Sequence, residues 1–340
     1  MKKINVAILG VTGAVGQEFL SILAERKFPI GDLKLLASKK SAGKKIKFQG
    51  REIEIEEARP DSFKGVDLVL SSAGGAISKE LAPHAVKAGA LVVDNTSAFR
   101  MDPQVPLVVP EINPEDIAKN KGIIANPNCS TIIMIVPLFP LHKAAKIRRI
   151  VAATYQAASG AGAKAMQELE DQSREILAGK KAKPKVFPHQ IAFNLFSHNS
   201  AIKDASGYCE EEIKMMQETK KIFHDESIQV VATTIRVPVF RAHSEALFIE
   251  LERDLSVEEI HQILRKAPGV RVIDDREKNY FPMPIEASGG DDVLVGRIRK
   301  DTTTRNGVAL FVSGDQLRKG AALNAVQIAE IWAKSCVTSS

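Results

Sequence analysis

The stretch INVAILGVTGAVGQEF (residues 4–19) decides the fold class of this chain. Its six mostly apolar residues, 4–9, predict a buried strand, and Gly10, Gly13 and Gly16 lead from this strand into a helical pattern. Glycines permit a tight turn there, and free N–H groups at the start of a helix can receive a pyrophosphate. The spacing is G-x-x-G-x-x-G rather than G-x-G-x-x-G. Nucleotide binding is therefore predicted from the strand–turn–helix context, and a purely structural turn is the alternative.

Strands and helices continue to alternate along the first part of the chain. We predict further strands at 33–38, 66–72, 90–95 and 122–126, helices at 13–27 and 76–89, and short β segments within 46–55. Strands that alternate with helices predict a parallel sheet with helices on both faces. We therefore expect an α/β fold whose first domain is a Rossmann-like NADP-binding domain.

Long β-rich runs replace this alternation from about residue 147. We predict β segments at 148–159, 228–239, 245–252, 293–299 and 308–313, with helices at 162–178, 210–222 and 256–267. They indicate a second, α+β domain with a broad mixed or antiparallel sheet. The segment 178–188 is predicted to be an exposed loop, and an amphipathic helix at 317–333 should return to the first domain. The expected domains are 1–128 with 317–340, which binds the dinucleotide, and 129–316, which is the catalytic and dimerisation domain.

Composition and charge exclude several classes of protein. The 340 residues are 44% hydrophobic and 26% charged, which is ordinary for globular proteins, and no apolar run approaches the ~20 residues of a membrane span. Cys129, Cys209 and Cys336 share no metal-binding spacing, so we expect neither a disulfide framework nor a metal site, and a cytoplasmic location is the default. The net charge is +6, but the lysine clusters lack interleaved aromatics, so no nucleic-acid partner is expected.

The end of the second predicted strand indicates the type of cofactor. A carboxylate there would bind a ribose 2′-hydroxyl. The sequence is instead LLASKKSAGKK (35–45), with no acid before Glu52. Ser38, Ser41 and the neighbouring lysines offer hydroxyls and positive charge to a 2′-phosphate, which favours NADP over NAD.

Cys129 lies where a predicted strand ends and the next helix begins, in GIIANPNCSTII (122–133). Free N–H groups and the helix dipole at such a position lower a thiol pKa and favour the thiolate. The position suits a nucleophile, and a buried structural cysteine is the alternative. Cys209 and Cys336 lack this setting and fit a structural role.

Eight motifs, taken together and in order, resemble one enzyme family. They are GVTGAVG (10–16), SSAGG (71–75), DNTSAFR (94–100), NPNCSTI (126–132), YQAASGAG (155–162), EEIKM (211–215), IRVPVFRAHSEAL (235–247) and GDQLRKGAA (314–322). The cysteine and histidine motifs are specific, whereas the glycine turn alone is not. With these motifs the chain resembles the aspartate-β-semialdehyde dehydrogenases.

The resemblance implies a reaction and a role for each matched residue. The family reduces L-aspartyl-4-phosphate to L-aspartate-4-semialdehyde with NADPH, releasing phosphate, in the biosynthesis of lysine (through diaminopimelate), threonine, methionine and isoleucine. Cys129 would form a thioester, and covalent catalysis splits one hard displacement into two easier steps. The other implied roles are acyl positioning by Gln156, general acid/base catalysis by His243, carboxylate binding by Arg236, amine binding by Glu211, and phosphate binding by Lys214 and Arg100. Glu210 and Glu212 adjoin Glu211, so a register shift of one residue remains open.

The resemblance also implies cofactor contacts, and one segment departs from the family pattern. The contacts are Gly10, Thr12, Gly13, Ala14 and Val15 in the turn, with Ser159, Gly160 and Gln316. The departing segment is FNLFSHNSAIKDASGY (193–208), which we expect to affect the oligomer rather than the chemistry. The histidines other than His243, namely His84, His142, His189, His198, His224 and His261, are expected to be surface or structural residues.

Two other functions remain open from the sequence. N-acetyl-γ-glutamyl-phosphate reductase uses similar cysteine chemistry, but its acylated substrate has no ammonium for Glu211 to bind. A non-catalytic NADP-sensing protein could keep this fold, although the joint presence of Cys129, Gln156, Arg236 and His243 argues for catalysis. The second domain should present an apolar sheet face, so a homodimer, alone or as a dimer of dimers, is expected.

Overall fold

The computed structural model describes residues 3–338, with side chains as far as Ser335. One unit of the fold extends to Asn128 and resumes at Ala321, and the other comprises Cys129–Gly320. Cys336, expected to be a structural cysteine, lies outside the residues whose side chains are described. Within residues 3–338, no helix is both long enough and apolar enough to cross a lipid bilayer.

Fourteen strands are found in the described part of the chain. They are β1 (Ile4–Leu9), β2 (Ile30–Ala37), β3 (Lys45–Phe48), β4 (Arg51–Glu57), β5 (Leu68–Ser71), β6 (Leu91–Asp94), β7 (Ile123–Ala125), β8 (Ile147–Gln156), β9 (Phe196–Ser197), β10 (Gln229–Arg236), β11 (His243–Leu251), β12 (Val270–Val272), β13 (Val293–Asp301) and β14 (Gly307–Gly314).

Eight α-helices and three shorter helical segments connect these strands in the same described residues. The α-helices are α1 (Ala14–Glu25), α2 (Gly75–Lys87), α3 (Cys129–Ala145), α4 (Ala163–Leu177), α5 (Glu210–Phe223), α6 (Val257–Arg265), α7 (Pro284–Ala287) and α8 (Leu323–Thr338). Two 3₁₀ segments (Pro114–Lys119 and Ala158–Ala161) and one π-helical segment (Arg318–Ala322) complete the set.

The first unit contains the predicted parallel sheet. Its strand order is β3-β4-β2-β1-β5-β6-β7, and every neighbouring pair is parallel except β3 with β4. The central β1 is buried along almost its whole length, which explains its nearly continuous apolar sequence. The expected Rossmann-like fold is thus confirmed, with β4 as an added parallel strand beside β2.

The terminal helix belongs to the first unit, as the sequence predicts. Ala325, Val326, Ile328 and Ala329 of α8 lie in the same apolar core as β1 and α1. The predicted helix at 317–333 begins differently, however, because the chain first makes the π-helical turn Arg318–Ala322.

The second unit contains a mixed seven-stranded sheet, which confirms the α+β prediction. Its order is β12-β13-β14-β11-β8-β10-β9, with β8 parallel to β10 and antiparallel to β11. Helix α3 is apolar on all sides and mostly buried, and it packs on strands of this sheet and on α5 and α6. A helix that is apolar all round is expected in a core.

The prediction of an exposed loop at 178–188 is wrong at one residue. Most of the segment is exposed, but Phe187 is buried in a cluster with Leu169, Ile191 and Ala192. A single aromatic residue after a basic, proline-containing run carries no periodicity, so its burial depends on tertiary packing that the local pattern does not indicate.

The three glycines of the first turn have different steric tasks. Gly10 has φ +89°, and a Cβ there would lie 2.6 Å from the Ser72 carbonyl oxygen. A Cβ on Gly16 would lie 2.3 Å from the carbonyl oxygen of Gly10. Gly13 is the N-cap of α1 and has an ordinary φ of −79°. A Cβ on Gly13 would only touch the Gly10 carbonyl oxygen, at 3.4 Å. Gly10 and Gly16 therefore serve packing, while Gly13 leaves the helix terminus open.

We expect Gly16→Ala to destabilise the protein and Gly13→Ala to leave its stability nearly unchanged. The methyl group at residue 16 would meet rigid backbone, and overpacking of this kind costs about 1–3 kcal/mol. Thermal unfolding of both variants measures the difference. Equal melting temperatures for Gly16→Ala and the wild type would contradict this account of the turn.

Candidate active site

A cleft lies at the carboxyl ends of the central strands of the first unit. It encloses about 490 Å³, and its lining includes Gly10, Thr12, Gly13 and Ser38, together with Lys39. This volume is in the range of cofactor sites, and the edge where strands end is where dinucleotides bind in such sheets. Three other predicted contacts, Ala14, Val15 and Ser41, are not part of this lining.

The cleft also contains a carboxylate that the sequence argument missed. Because β4 pairs in parallel with β2, Glu57 is in register with Ala37 and lines the cleft. The end of β2 carries no acid, as the sequence indicates, but the neighbouring strand β4 brings one into the cleft. Arg59 donates from Nε (3.1 Å) and Nη2 (2.5 Å) to the Glu57 carboxylate, which offsets its charge.

Arg100 is held in the first unit by the turn that follows β6. The buried Asp94 carboxylate accepts bonds from the Thr96 N–H (3.1 Å) and hydroxyl (2.7 Å), which shapes this turn. Arg100 is also buried, and its guanidinium donates to the carbonyl oxygens of Asn126 (2.9 Å) and Asn95 (2.8 Å). The DNTSAFR motif thus fixes a cation at the ends of β6 and β7.

Cys129 is the first residue of α3, as predicted. Helix N-termini favour thiolates because their free N–H groups and dipole stabilise negative charge. The backbone of Gly320 passes so close that an added Cβ would lie 2.9 Å from the Cys129 Cβ. Gln156 is buried and donates to the hydroxyl of Ser130 (2.9 Å), the residue after the cysteine.

Neighbouring strands bring three of the predicted residues to one edge of the second sheet. Gln156 ends β8, Arg236 ends the parallel β10 directly opposite it, and His243 begins the antiparallel β11 on the other side of β8. The cluster depends on pairing between segments about 80 residues apart in the sequence. Chain order alone does not predict it.

His243 is fully buried, and its tautomer follows from one backbone contact. The N–H of Ala157 donates to Nδ1 (3.0 Å), so the neutral ring carries its hydrogen on Nε2. Burial lowers the pKa of His243 well below its ordinary value, and the charge of Arg236 lowers it further. In the ligand-free protein His243 is therefore a neutral donor.

Arg236 is a buried cation held by several groups. Its Nε donates to Asn199 Oδ1 (3.2 Å), its Nη1 donates to the Ala157 carbonyl (3.1 Å), and its guanidinium lies 5.9 Å from the centre of the Phe187 ring. Burial lowers its pKa, while Glu211 and then Cys129 act to raise it. The guanidinium still remains charged, since arginine does not deprotonate in proteins.

Gly160 lies beside the side chains of Arg236 and His243. A Cβ on this glycine would lie 2.8 Å from Arg236 Nη1 and 2.9 Å from His243 Nε2. Only the absence of a side chain leaves room for these groups to share one space. Its neighbour Ser159 accepts a hydrogen bond from the Gln316 amide, whose oxygen accepts from the Ala242 N–H (2.9 Å). Gln316 thus links two segments of the site.

The three consecutive glutamates of α5 have distinct positions and partners. Glu210 pairs with Lys203, and Glu212 accepts from the Cys209 N–H (3.0 Å) at the helix start. Glu211 is buried, pairs with Lys214 (3.1 Å) and acts electrostatically on Arg236 and His243. Glu211 is therefore the acid of the cluster.

The segment that departs from the family pattern contributes two residues to this cluster. Asn199 bonds to Arg236, and the charges of Arg236, Glu211 and Lys214 act on half-buried His198. The departing segment therefore reaches this charged cluster, in addition to any effect that it has on the oligomer. The signal that could have found these residues is the His-Asn-Ser triplet just before the motif that contains Glu211.

The arrangement in the second unit suits covalent catalysis on a small charged substrate. It combines a thiol at a helix N-terminus, a neutral histidine donor, a guanidinium and a carboxylate–ammonium pair. A guanidinium recognises a carboxylate by paired hydrogen bonds, and Glu211 can bind an ammonium.

Comparisons with known proteins agree with this geometry. Residues 5–120 match the family model of the semialdehyde dehydrogenase NAD binding domain, and residues 138–319 match the semialdehyde dehydrogenase dimerisation domain. An aspartate-semialdehyde dehydrogenase from Synechocystis sp. is 59% identical over 328 residues, which cover 96% of this chain and 97% of that protein.

Solved structures give the same result. The structure of aspartate semialdehyde dehydrogenase II from Vibrio cholerae complexed with ASA has a TM-score of 0.95 and 45% identity, covering 98% of this chain and 99% of that one. The Candida albicans enzyme with NADP has a TM-score of 0.76 and 26% identity, covering 97% and 98%. On its sequence and fold, this chain belongs to the aspartate-semialdehyde dehydrogenase family.

Proposed function

We propose that this enzyme reduces L-aspartyl-4-phosphate to L-aspartate-4-semialdehyde through a thioester on Cys129. The observation that carries the proposal is the cluster of Arg236, His243 and the Glu211–Lys214 pair in the unit that begins with this cysteine. The substrate carries an α-carboxylate, which a cation can bind, an α-ammonium, which an anion can bind, and a phosphate, which a second cation can bind. Arg236, Glu211 and Lys214 supply them in that order, and Arg100 is proposed as the second phosphate ligand.

The proposed steps use the groups in the states that the geometry favours. The Cys129 thiolate attacks the acyl carbon, the bond from that carbon to the phosphate oxygen breaks, and inorganic phosphate leaves. Bound NADPH supplies the hydride that reduces the acyl carbon. His243 donates from Nε2 to the oxyanion on the reacting carbon, and Gln156 orients the acyl group. Collapse of the oxyanion then breaks the carbon–sulfur bond, which yields the aldehyde and restores the thiolate.

The charge of the substrate changes the behaviour of His243. In the ligand-free protein, burial and the charge of Arg236 both lower the pKa of this histidine. An α-carboxylate bound to Arg236 would offset the positive charge, so the pKa of His243 should rise when substrate binds. A higher pKa would allow His243 to take up and release a proton, as general acid/base catalysis requires, once substrate is bound. In the ligand-free site the low pKa keeps the ring neutral.

Two alternatives lead to different expectations. An N-acetylated γ-glutamyl phosphate carries no ammonium, which would leave the buried Glu211 without a cationic ligand group. A sensor would need no nucleophile, yet Cys129 is the first residue of α3, where a helix N-terminus favours the thiolate. Both observations favour the aspartyl substrate and catalysis.

We propose NADP as the cofactor, bound in the cleft of the first unit. The cleft fits a dinucleotide, because Gly13 leaves the N-terminus of α1 open and its first N–H groups available to a pyrophosphate. Ser38 and Lys39 line the end of the cleft beside β2, where a 2′-phosphate would lie. The Glu57 charge is offset by Arg59, so it opposes a 2′-phosphate less than an unpaired acid would.

We further propose a homodimer formed through the open face of the second sheet. Tyr155 and Phe248 on this face are each more than one-third exposed, and the ring of Phe311 lies 6.3 Å from that of Tyr155. A contiguous apolar surface of this kind is typical of an interface. The match to a dimerisation domain supports the same assignment.

Replacing the nucleophile tests the proposed function directly. We expect Cys129→Ala to abolish phosphate-dependent oxidation of aspartate semialdehyde, followed as NADPH formation, while NADP still binds with wild-type affinity. Cys209→Ser is the matched control, since serine is a good N-cap for α5. Turnover by Cys129→Ala above about one-thousandth of the wild-type rate would contradict a thioester mechanism.

A lysine pair tests the cofactor assignment. Lys39 lines the cleft and Lys40 does not. Loss of a charge-assisted bond to the 2′-phosphate should lower kcat/KM for NADP about tenfold in Lys39→Ala and leave that for NAD unchanged. Lys40→Ala should match the wild type. Equal losses with both cofactors would argue against a 2′-phosphate at this position.

A charged substitution tests the proposed interface. Phe248→Asp should convert the dimer to a monomer at micromolar concentration, because a carboxylate would be buried without a partner. Ile285→Asp alters a more exposed apolar side chain on α7 and should leave the dimer intact. Light scattering measures both masses. A dimeric Phe248→Asp variant, or a monomeric wild type, would rule out this face.

A further inference from the structure

A second histidine, His198, lies within the charged cluster described above. It follows β9, whose short pairing with β10 brings Phe196 opposite Arg236. The His198 N–H donates to the Thr234 carbonyl (2.9 Å), which fixes the segment beside the end of β10. The next residue, Asn199, bonds to Arg236. His198 is therefore anchored beside the guanidinium by its own backbone and by its neighbour.

The hydrogen bonds of His198 determine which ring nitrogen carries the hydrogen. The backbone N–H of Ser200 donates to Nδ1 (3.1 Å), and a backbone N–H can only donate. The neutral ring therefore carries its hydrogen on Nε2. This nitrogen is inaccessible to solvent, and none of the described residues accepts its hydrogen bond. A buried donor without an acceptor is costly, and in a native protein it requires an explanation.

The surrounding charges keep the ring neutral. Burial and the positive charge of Arg236 lower the pKa of His198 to about 4, Lys214 lowers it too, and Glu211 acts in the opposite direction. Protonation is therefore negligible near pH 7, and the Nε2–H is a permanent donor. Its ring also acts electrostatically on buried His243. His198 thus lies among the charges of Arg236, Glu211 and Lys214.

The donor needs an anionic or carbonyl oxygen as its partner. Arg236 already donates from Nε to Asn199 and from Nη1 to Ala157, so part of its hydrogen-bonding capacity is used within the protein. A carboxylate offers about four acceptor positions, more than the remaining guanidinium donors can fill. A neutral N–H beside Arg236 would add a hydrogen bond to this carboxylate without adding charge.

We propose that His198 donates its Nε2–H to the α-carboxylate of the substrate and thereby helps Arg236 to recognise it. This inference rests on the proposed function and deepens it, because it assigns a specificity-determining role to a residue in the segment that departs from the family pattern. A substrate without an α-carboxylate would leave the buried donor unsatisfied and would be bound less well.

Two substitutions separate the donor from its structural surroundings. His198→Gln places an amide N–H about where Nε2 lies but loses the acceptor for the Ser200 N–H. His198→Asn keeps that acceptor, since an asparagine oxygen accepts from the N–H two residues on, but its amide is too short to replace Nε2. If His198 acts as a donor, His198→Gln should be more active than His198→Asn. If it only forms the turn, His198→Asn should be the more active variant.

The assay is phosphate-dependent oxidation of aspartate semialdehyde by the full-length enzyme. We expect His198→Asn to raise the KM for the semialdehyde about 10- to 100-fold, with the KM values for phosphate and NADP unchanged. His198→Gln should remain within about threefold of the wild type. His189→Asn is the control, because His189 is an exposed histidine whose ring contacts the same segment at Phe196.

Each other outcome has a definite meaning. An unchanged His198→Asn, equal losses in both variants, or a rise in the KM for phosphate instead of the semialdehyde would overturn this inference while leaving the proposed function standing. A wild-type enzyme that does not oxidise aspartate semialdehyde would overturn the proposed function itself, and the inference with it.

Discussion

The backbone of Ala157 is the point on which the charged cluster of the second unit depends. Its N–H donates to His243 and fixes the tautomer of that ring, and its carbonyl oxygen accepts from Arg236. The backbone of this one residue, through the two peptide groups that meet at its Cα, thus holds both His243 and Arg236. It can do so because it directly follows Gln156 at the end of β8, the strand that lies between β10 and β11. The sheet holds the end of β8 rigidly, and the residue that follows this strand therefore lies between the ends of its two neighbouring strands.

The polar groups of the site are costly to bury, and they are retained because each has a partner or a role toward a ligand. Glu211 lies against Lys214, Arg236 lies against Asn199 and Phe187, and Gln156 bonds to Ser130. Burial also strengthens the electrostatic interactions within the cluster, since water screens them less. The lowered pKa values of the two histidines follow from the same low-dielectric surroundings. Preorganised donors in such surroundings stabilise developing charge without reorganising during the reaction.

Local sequence patterns predicted those features that depend on neighbouring residues. The strand and turn at 4–16 and the helix that starts at Cys129 are of this kind, because periodicity, glycine and proline act over a few residues. Glu57 and His198 were not predicted to reach their sites, since each does so through a strand pairing, β2 with β4 and β9 with β10. The burial of Phe187 depends likewise on packing against other segments. Pairing between distant segments is a tertiary property, which no single stretch of the sequence specifies.

The absence of a side chain at Gly160 also constrains how this enzyme can evolve. Arg236 and His243 occupy the volume that any larger residue would need, so no single substitution there leaves both of them in place. A lineage that came to accept a bulkier acyl group would have to shift the guanidinium and the imidazole together, through compensating changes on separate strands. Residues 160, 236 and 243 are therefore expected to change together rather than singly.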